Sequence, residues 1–177
     1  GLSRAIEVTD GASLTLRQIH VVNGSAPKGA GLFVHGAGSA LLMDRSSIRD
    51  SVATGSWPVG GGGLFVWLGA SAVLLDSVIA DCAAPDLGVG GGAYAHEQAN
   101  LTLRGSRIER CTAPRGGGIQ ALNGDVALLE GSVISACRAD FYGGGMHLRP
   151  VAHSRSSALI CLAHPVPRLL RPGLPCI

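Results

Sequence analysis

The chain repeats one pattern of residues along most of its length. A cluster of glycines is followed by a short apolar stretch, then by a second apolar stretch that leads into Ser-x-Ile, and then by Cys-x-Ala, as in Gly116 to Ala139. The last glycines of successive clusters lie 32, 29, 26 and 27 residues apart, at Gly31, Gly63, Gly92, Gly118 and Gly145. A repeat of this length with variable joints is typical of a solenoid, in which each copy packs only on its neighbours.

Other residues recur at nearly constant distances from these glycines, so they form aligned columns when the copies are superimposed. Isoleucine stands 16 residues after Gly63, Gly92 and Gly118, and 17 residues after Gly31. The aligned positions are the isoleucines Ile48, Ile79, Ile108 and Ile134, the serines Ser46, Ser77, Ser106 and Ser132, the set Ser51, Cys82, Cys111 and Cys137, and the alanines Ala53, Ala84, Ala113 and Ala139. Length changes fall after the alanines, where Trp57-Pro58, Pro85 and Pro114 also stand.

Within each copy the apolar residues alternate with other residues, which predicts strands rather than helices. The predicted inward pairs are Leu32/Val34, Leu64/Val66, Ala93/Ala95, Ile119/Ala121 and Met146/Leu148 after the glycines, and Leu41/Met43, Ala72/Leu74, Leu101/Leu103 and Ala127/Leu129 in the second stretch. The pattern predicts an all-β fold, a right-handed parallel β-helix of about six coils with three short strands each. Glycines would allow the tight corners.

We expect one β-helix domain over residues 1–162, with degenerate end coils at 1–28 and 146–162. In the first of these, Leu14 to Ile19 followed by Val22 resembles an incomplete copy. Ala158 to Ile160 resembles part of a later one. Residues 163–177 contain four prolines and are expected to form an irregular tail. The whole is expected to be a segment of a longer or processed protein.

Composition excludes several classes of function. The chain has 14 Lys plus Arg against 12 Asp plus Glu and a net charge of +2, so no basic stripe predicts a nucleic-acid partner. No apolar run approaches the roughly 18 residues of a membrane-spanning helix. The repeated core explains why 46% of the residues are hydrophobic and only 15% charged.

The column of Ser51, Cys82, Cys111 and Cys137 has two interpretations. One is a structural ladder of small, buried, reduced thiols, and the other is a disulfide between adjacent coils. One thiolate per coil in a straight line does not form a tetrahedron, so we predict no metal site. Cys161 and Cys176 lie in or near the tail, and a disulfide between these two cysteines is a separate possibility.

Residues between the inward positions of the post-glycine strand should point outward. They form two columns. The first contains Phe33, Phe65, Tyr94, Gln120 and His147, and the second contains His35, Trp67, His96, Leu122 and Arg149. An exposed aromatic face is a common binding surface, since flat rings stack on sugar rings. The predicted ligand-binding residues are therefore Phe33, His35, Phe65, Trp67, Tyr94 and His96. The alternative is a stacked ladder that stiffens the sheet.

No catalytic residue and no cofactor are predicted. A glycoside hydrolase needs paired carboxylates, and the acids here are scattered. Asp50 and Asp81 share an outward column with Arg110, which is more typical of a solvated charge ladder than of a catalytic site.

The joint Ile108-Glu-Arg-Cys-Thr-Ala-Pro-Arg-Gly-Gly-Gly-Ile119 resembles that of polymorphic outer membrane protein repeats, in which Phe-x-x-Asn-x-Ala precedes Gly-Gly-Ala-Ile. Isoleucine and cysteine replace the Phe and Asn here. The resemblance covers roughly residues 29–148 and implies a β-helix of the pectin-lyase-like superfamily in a secreted or cell-surface adhesin. The expected function is a non-catalytic structural, adhesive or ligand-presenting module whose partners are glycans or cell-surface proteins. The alternative is a carbohydrate-binding or carbohydrate-active β-helix that uses the aromatic face.

Overall fold

The strands of this protein stack into a β-solenoid of about five turns. The computed structural model describes residues 3–54 and 59–150, and the backbone of Ala158–Ile160. These residues form strands and turns, with no helix among them, so none of them belongs to a helix that could span a membrane. The expected tail at 163–177, the joint at Trp57-Pro58 and the cysteines Cys161 and Cys176 lie outside the described residues.

The strands follow one another in the same order in every turn. The first two turns contain β1 (Ile6–Val8), β2 (Ser13–Arg17), β3 (His20–Val22), β4 (Ser25–Ala26), β5 (Leu32–His35), β6 (Ala40–Asp44), β7 (Ser47–Arg49) and β8 (Val52–Ala53). The next two contain β9 (Leu64–Trp67), β10 (Ser71–Leu75), β11 (Val78–Ala80), β12 (Ala93–His96), β13 (Asn100–Arg104), β14 (Arg107–Glu109) and β15 (Thr112–Arg115). The rest are β16 (Ile119–Leu122), β17 (Asp125–Leu129), β18 (Val133–Ser135), β19 (Arg138–Tyr142), β20 (Met146–Arg149) and β21 (Ala158–Ile160).

Three parallel sheets run the length of the solenoid. The first has the order β1-β5-β9-β12-β16-β20, the second β2-β6-β10-β13-β17-β21 and the third β3-β7-β11-β14-β18. Each strand pairs with the equivalent strand one turn away, so the sequence columns become ladders of stacked residues. The predicted parallel β-helix is confirmed, with β20 and β21 beginning a sixth turn.

The prediction of three strands per turn was incomplete. Short strands in the joints add a fourth line of pairing, in which β4 pairs with β8 and β15 pairs with β19. Single bridges from Ala83 to Val52 and to Thr112 connect these two pairs across the third turn. The alanine column therefore forms part of the hydrogen-bonded wall.

The aligned columns touch one another in space. The side chains of Ile48, Ile79 and Ile108 are completely buried in the interior. A Cβ added at Gly92 would lie 2.6 Å from Cγ2 of Ile108, 2.6 Å from the carbonyl oxygen of Gly118 and 3.2 Å from Sγ of Cys111. Similar close contacts recur at Gly31, Gly63 and Gly118. Glycine is required at this position because the next turn and two interior side chains occupy the space of a side chain.

The serine column ties adjacent turns together. The Oγ atom of Ser106 accepts a hydrogen bond from the backbone N–H of Ser77 at 3.0 Å and donates to the carbonyl of Arg104 at 2.9 Å. Oγ of Ser77 likewise accepts from the N–H of Ser46 at 3.1 Å. A buried hydroxyl therefore satisfies a backbone group of the preceding turn, which is why a small hydroxyl residue recurs there.

Glycine is not required at every corner. Gly90, at the start of its cluster, has a φ of +61°, in the region that favours glycine. At the corner before the serine column, however, φ is +46° at Arg45 and +44° at Asp76, and before the Ser/Cys column it is +56° at Asp81 and +53° at Arg110. The prediction that glycines make the corners therefore holds for the glycine clusters, whereas at the other two corners charged residues adopt positive φ alongside Gly105 at +56° and Ala136 at +52°.

One predicted inward pair was wrong by one residue. Val126 and Leu128 pair in register with Leu101 and Leu103 and are buried, so they replace the expected Ala127 and Leu129. The turn between β16 and β17 has two residues, one fewer than the turn between β12 and β13. A longer turn before β18 restores the register, which is why Ile134 kept its spacing from Gly118.

The first turn is more complete than predicted. It contributes β1, β2 and β3, and Ile6 stacks on Leu32 in the first sheet. Val21 pairs with Ile48 and fills the interior, whereas Ile19 and Val22 are exposed. A strand of three residues gives too short an alternation for the sequence to show which of its residues points inward.

Candidate ligand-binding groove

The outer aromatic stack consists of Phe33, Phe65 and Tyr94 in one column and His35, Trp67 and His96 in the next. The rings of Phe65 and Tyr94 stack with centroids 4.6 Å apart, and those of Phe33 and Phe65 lie 5.2 Å apart. Phe33, Phe65 and Tyr94 form a hydrophobic cluster with Val89 that is separate from the interior core. The sequence prediction that these rings lie outside the interior is confirmed.

The prediction that this face is exposed was wrong. Phe33, Phe65 and Tyr94 retain only 4%, 2% and 3% of their surface. The glycine-rich joint covers them, since a Cβ at Gly60 would lie 2.7 Å from the Tyr94 ring. The Lys28 ammonium group also sits 4.2 Å from the Trp67 ring centroid. Three of the six predicted ligand-binding residues are therefore unavailable as an open platform in this state.

The other three residues are half-buried and have polar partners. Nε2 of His35 lies 2.9 Å from a carboxylate oxygen of Glu7. The indole N–H of Trp67 donates to Glu97 at 3.0 Å, and Nδ1 of His96 lies 2.8 Å from the carbonyl oxygen of Leu122. These contacts fit the alternative prediction of a stack that stiffens the sheet.

A groove of about 490 Å³ opens where the aromatic stack ends. Tyr94 stacks in register on Gln120, and Gln120 on His147. An amide follows three large rings in the column, so the outer face is no longer filled at this turn. The residues that line the groove are Val89, Tyr94, Arg115, Gln120, Leu122, Tyr142, His147 and Arg149.

Two strands outside the first sheet supply one side of this groove. Arg115 of β15 stacks in register on Tyr142 of β19. The Tyr142 side chain is 58% exposed, and its ring stacks on the His147 ring with centroids 5.4 Å apart and planes 24° apart. Tyr142 therefore offers an accessible aromatic face, which the outer aromatic stack does not.

Gln120 determines which ring nitrogen of the neutral His147 carries the proton. The buried Gln120 amide donates to the carbonyl of Ala121 at 3.1 Å, so its oxygen faces Nδ1 of His147 at 2.7 Å. An amide oxygen only accepts, so Nδ1 carries a proton and Nε2 is the acceptor of the neutral ring. Burial, followed by the positive charges of Arg115 and Arg149, lowers the pKa of His147 and favours that neutral form.

The described lining of the groove is cationic and polar. Arg115 and Arg149 line it, and no Asp or Glu is among the described lining residues. It therefore lacks the pair of carboxylates with which a glycoside hydrolase works. Burial, and then the charge of Glu97, raises the pKa of Tyr94, so that its phenol stays protonated. What the groove offers is hydrogen bonds, positive charge and one exposed ring.

The cysteine column contains free thiols at Cys82, Cys111 and Cys137. Sγ of Cys111 lies 3.3 Å from the carbonyl of Glu109, and Oγ of Ser51 donates to the equivalent carbonyl of Arg49 at 3.0 Å. The Cys137 thiol lowers the pKa of Cys111, but the Cys82 thiol and burial outweigh it and raise that pKa to about 12. The structure thus matches the interpretation as a ladder of reduced thiols, which are buried at Cys82 and Cys111 and half-buried at Cys137. No group of three or more metal-ligating side chains forms within the described residues.

The charged column is an ion-pair cluster. Arg110 donates to both carboxylate oxygens of Asp81, at 2.7 and 2.9 Å, and also pairs with Glu109 at 2.8 Å. Its hydrogen bonds lower the pKa of the Asp81 carboxyl group, which stays ionised. Arg49 approaches the same carboxylate at 3.7 Å, whereas Asp50 enters none of these pairs.

Of the predicted ligand-binding residues only Tyr94 lines the groove. Gln120, Leu122, His147 and Arg149 stood in the predicted outward columns, and the loss of aromatic character at Gln120 was the signal that the stack ends there. Arg115 and Tyr142 were missed because they lie in the variable joints, where the sequence gives no register. Their strand pair also contains an irregularity between Ala113 and Arg115.

No protein-family model matches the chain, and neither the curated proteins nor the solved structures yield a match. The resemblance to polymorphic outer membrane protein repeats therefore stays a prediction from the sequence.

Proposed function

We propose that this chain is a non-catalytic, ligand-presenting β-helix module that binds a saccharide in the groove at the end of the aromatic stack. The observation that carries the proposal is the exposed Tyr142 ring, held against His147 at the mouth of a groove with a polar floor. An aromatic face covers the C–H surface of a sugar ring, while neighbouring polar groups bind its hydroxyls.

The floor of the groove supports a polar ligand. Gln120 is 4% exposed, and its hydrogen bonds to the backbone and to His147 fix both side chains before a ligand arrives. Preorganised polar groups lose less entropy when they bind. The rest of the solenoid acts as a rigid support, since every turn is bonded to the next through three sheets.

The setting of the module follows from the sequence resemblance alone. The proposed setting is a secreted or cell-surface protein that adheres through glycans, and this setting agrees with a groove that binds a saccharide. The near-balanced charge of the chain supports a partner other than nucleic acid.

A glycan array tests this proposal. We expect the parent protein to bind at least one glycan and Tyr142→Ala to weaken that binding about tenfold, which corresponds to the roughly 1.4 kcal/mol of a lost stacking contact. Phe141→Ala is the matched control, because Phe141 is 69% exposed on the same strand and does not line the groove. Absence of binding to every glycan, or an equal loss in both variants, contradicts the proposal.

A further inference from the structure

The groove concentrates positive charge on a protein that is otherwise nearly balanced. Arg115, Arg149 and His147 line it, and none of its described lining residues is a carboxylate. Several arginines outside the groove pair with acids, as Arg104 does with Glu130 and Arg110 with Asp81. Arg115 forms no such ion pair within the described residues. Its guanidinium group therefore keeps hydrogen-bonding capacity for a ligand.

The two arginines come from different parts of the fold. Arg115 ends β15, in the joint wall, and Arg149 ends β20, in the first sheet. Both are close enough to His147 for their charges to disfavour its protonated form. Cations that line one groove are a recurrent arrangement for binding an anion, because a guanidinium group donates two parallel hydrogen bonds to a carboxylate or sulfate.

The neutral His147 ring adds a second requirement that the ligand must meet. Its Nδ1–H is used by Gln120, so Nε2 is available to accept a hydrogen bond. A sugar hydroxyl is a donor of the required kind. A ligand that stacks on Tyr142 can therefore present a hydroxyl to His147 and an anionic substituent to the arginines.

We propose that the saccharide bound in this groove is acidic, and that Arg115 and Arg149 bind its carboxylate or sulfate while Nε2 of His147 accepts a hydrogen bond from one of its hydroxyls. This inference rests on the proposed function and specifies its ligand class. It also makes Gln120 a positioning residue, which acts on the ligand through His147.

The test compares three oligosaccharides by isothermal titration calorimetry with the full chain. A hyaluronan tetrasaccharide carries carboxylates, a keratan sulfate tetrasaccharide carries sulfates without carboxylates, and chitotetraose is neutral. We expect at least one acidic ligand to bind ten times more tightly than chitotetraose, and its affinity to fall as salt is added, because the pairs are accessible to solvent. Which acidic ligand binds identifies the anion.

Two arginine variants distinguish a specific contact between Arg115 and the acidic ligand from an effect of the protein's net charge on affinity. Arg115→Gln should weaken binding of the acidic ligand about tenfold and leave chitotetraose unchanged, as expected for a lost charge-assisted hydrogen bond. Arg138→Gln removes the same charge from an exposed residue that lines a different depression, and should change little. Equal unfolding midpoints exclude a folding defect in either variant.

The outcomes are distinguishable. Chitotetraose binding as tightly as the acidic ligands overturns the acidic ligand class and leaves the saccharide groove standing. Equal losses from Arg115→Gln and Arg138→Gln also overturn it, because they would reflect net charge alone. Absence of binding by all three ligands, together with an empty glycan array, overturns both proposals.

Discussion

The glycine column provides the sharpest test of how the repeat specifies the fold. Gly92 and Gly145 occupy equivalent positions, and neither has a positive φ. A Cβ at Gly92 would lie 2.6 Å from both the Gly118 carbonyl oxygen and Cγ2 of Ile108, whereas at Gly145 its nearest contact among the described residues would be Cγ2 of Ile134 at 3.7 Å. The same substitution therefore clashes inside the solenoid and fits at its last described turn.

The expected magnitudes follow from these distances. Overpacking a core costs about 1–3 kcal/mol when side chains can adjust, and one of the clashing atoms at Gly92 is backbone. We expect Gly92→Ala to lower the free energy of unfolding by about 3 kcal/mol. Gly145→Ala should raise it by about 0.5 kcal/mol, because alanine restricts the unfolded chain. With a slope of about 1–3 kcal/mol per molar urea, the Gly92 variant loses about 1 M or more in its midpoint.

Urea unfolding followed by circular dichroism measures both variants. The two proteins must first be shown to unfold with the same slope as the parent, since a solenoid can unfold turn by turn. If Gly92→Ala and Gly145→Ala differ by less than about 0.5 kcal/mol, the stacking contacts do not explain the glycine column, and the reasoning is wrong.

Three further changes test the surrounding structure. Phe65→Ala should lower the free energy of unfolding by about 3–5 kcal/mol, because the ring is buried in the aromatic stack, while the exposed Phe141→Ala should change it by less than about 0.5 kcal/mol; equal urea midpoints would contradict this. Cys111→Ser should cost only about 1 kcal/mol, since its hydroxyl can donate to the Glu109 carbonyl as Ser51 does to that of Arg49; loss of folding would show that the thiol is needed. The native pKa of His147 is depressed, so the unfolded chain binds this proton first, and stability should fall as pH drops below about 6.5. His147→Asn should flatten that fall in urea midpoints measured between pH 7 and 5, and an unchanged slope would refute the assignment.

The extent to which sequence predicts this site differs from residue to residue. Tyr94, Gln120 and His147 share a column because their strands pair in register, and the sequence period alone showed that alignment. Their burial was not predictable, because it depends on where the joint at Gly60 and Val89 crosses the face. Tyr142 and Arg115 could not be placed at all, since joint residues have no period.

The one-residue error at Ala127 has the same origin. Alternation specifies which residues share a face but not which face is inward, and two overlapping alternations were possible in that strand. The number of residues in the preceding turn decides between them, and this is visible only once the neighbouring strand is in place.

By itself the sequence determined the repeat, the parallel stacking and the glycine, serine, isoleucine and cysteine columns. It could do so because each column is a contact between equivalent positions of adjacent turns, and a contact that recurs leaves a period in the sequence. Only the tertiary structure decided that the aromatic face is covered and that a cationic groove opens where it ends. Both depend on non-repeating joints packing across the sheet, an arrangement that occurs once and therefore leaves no period to read.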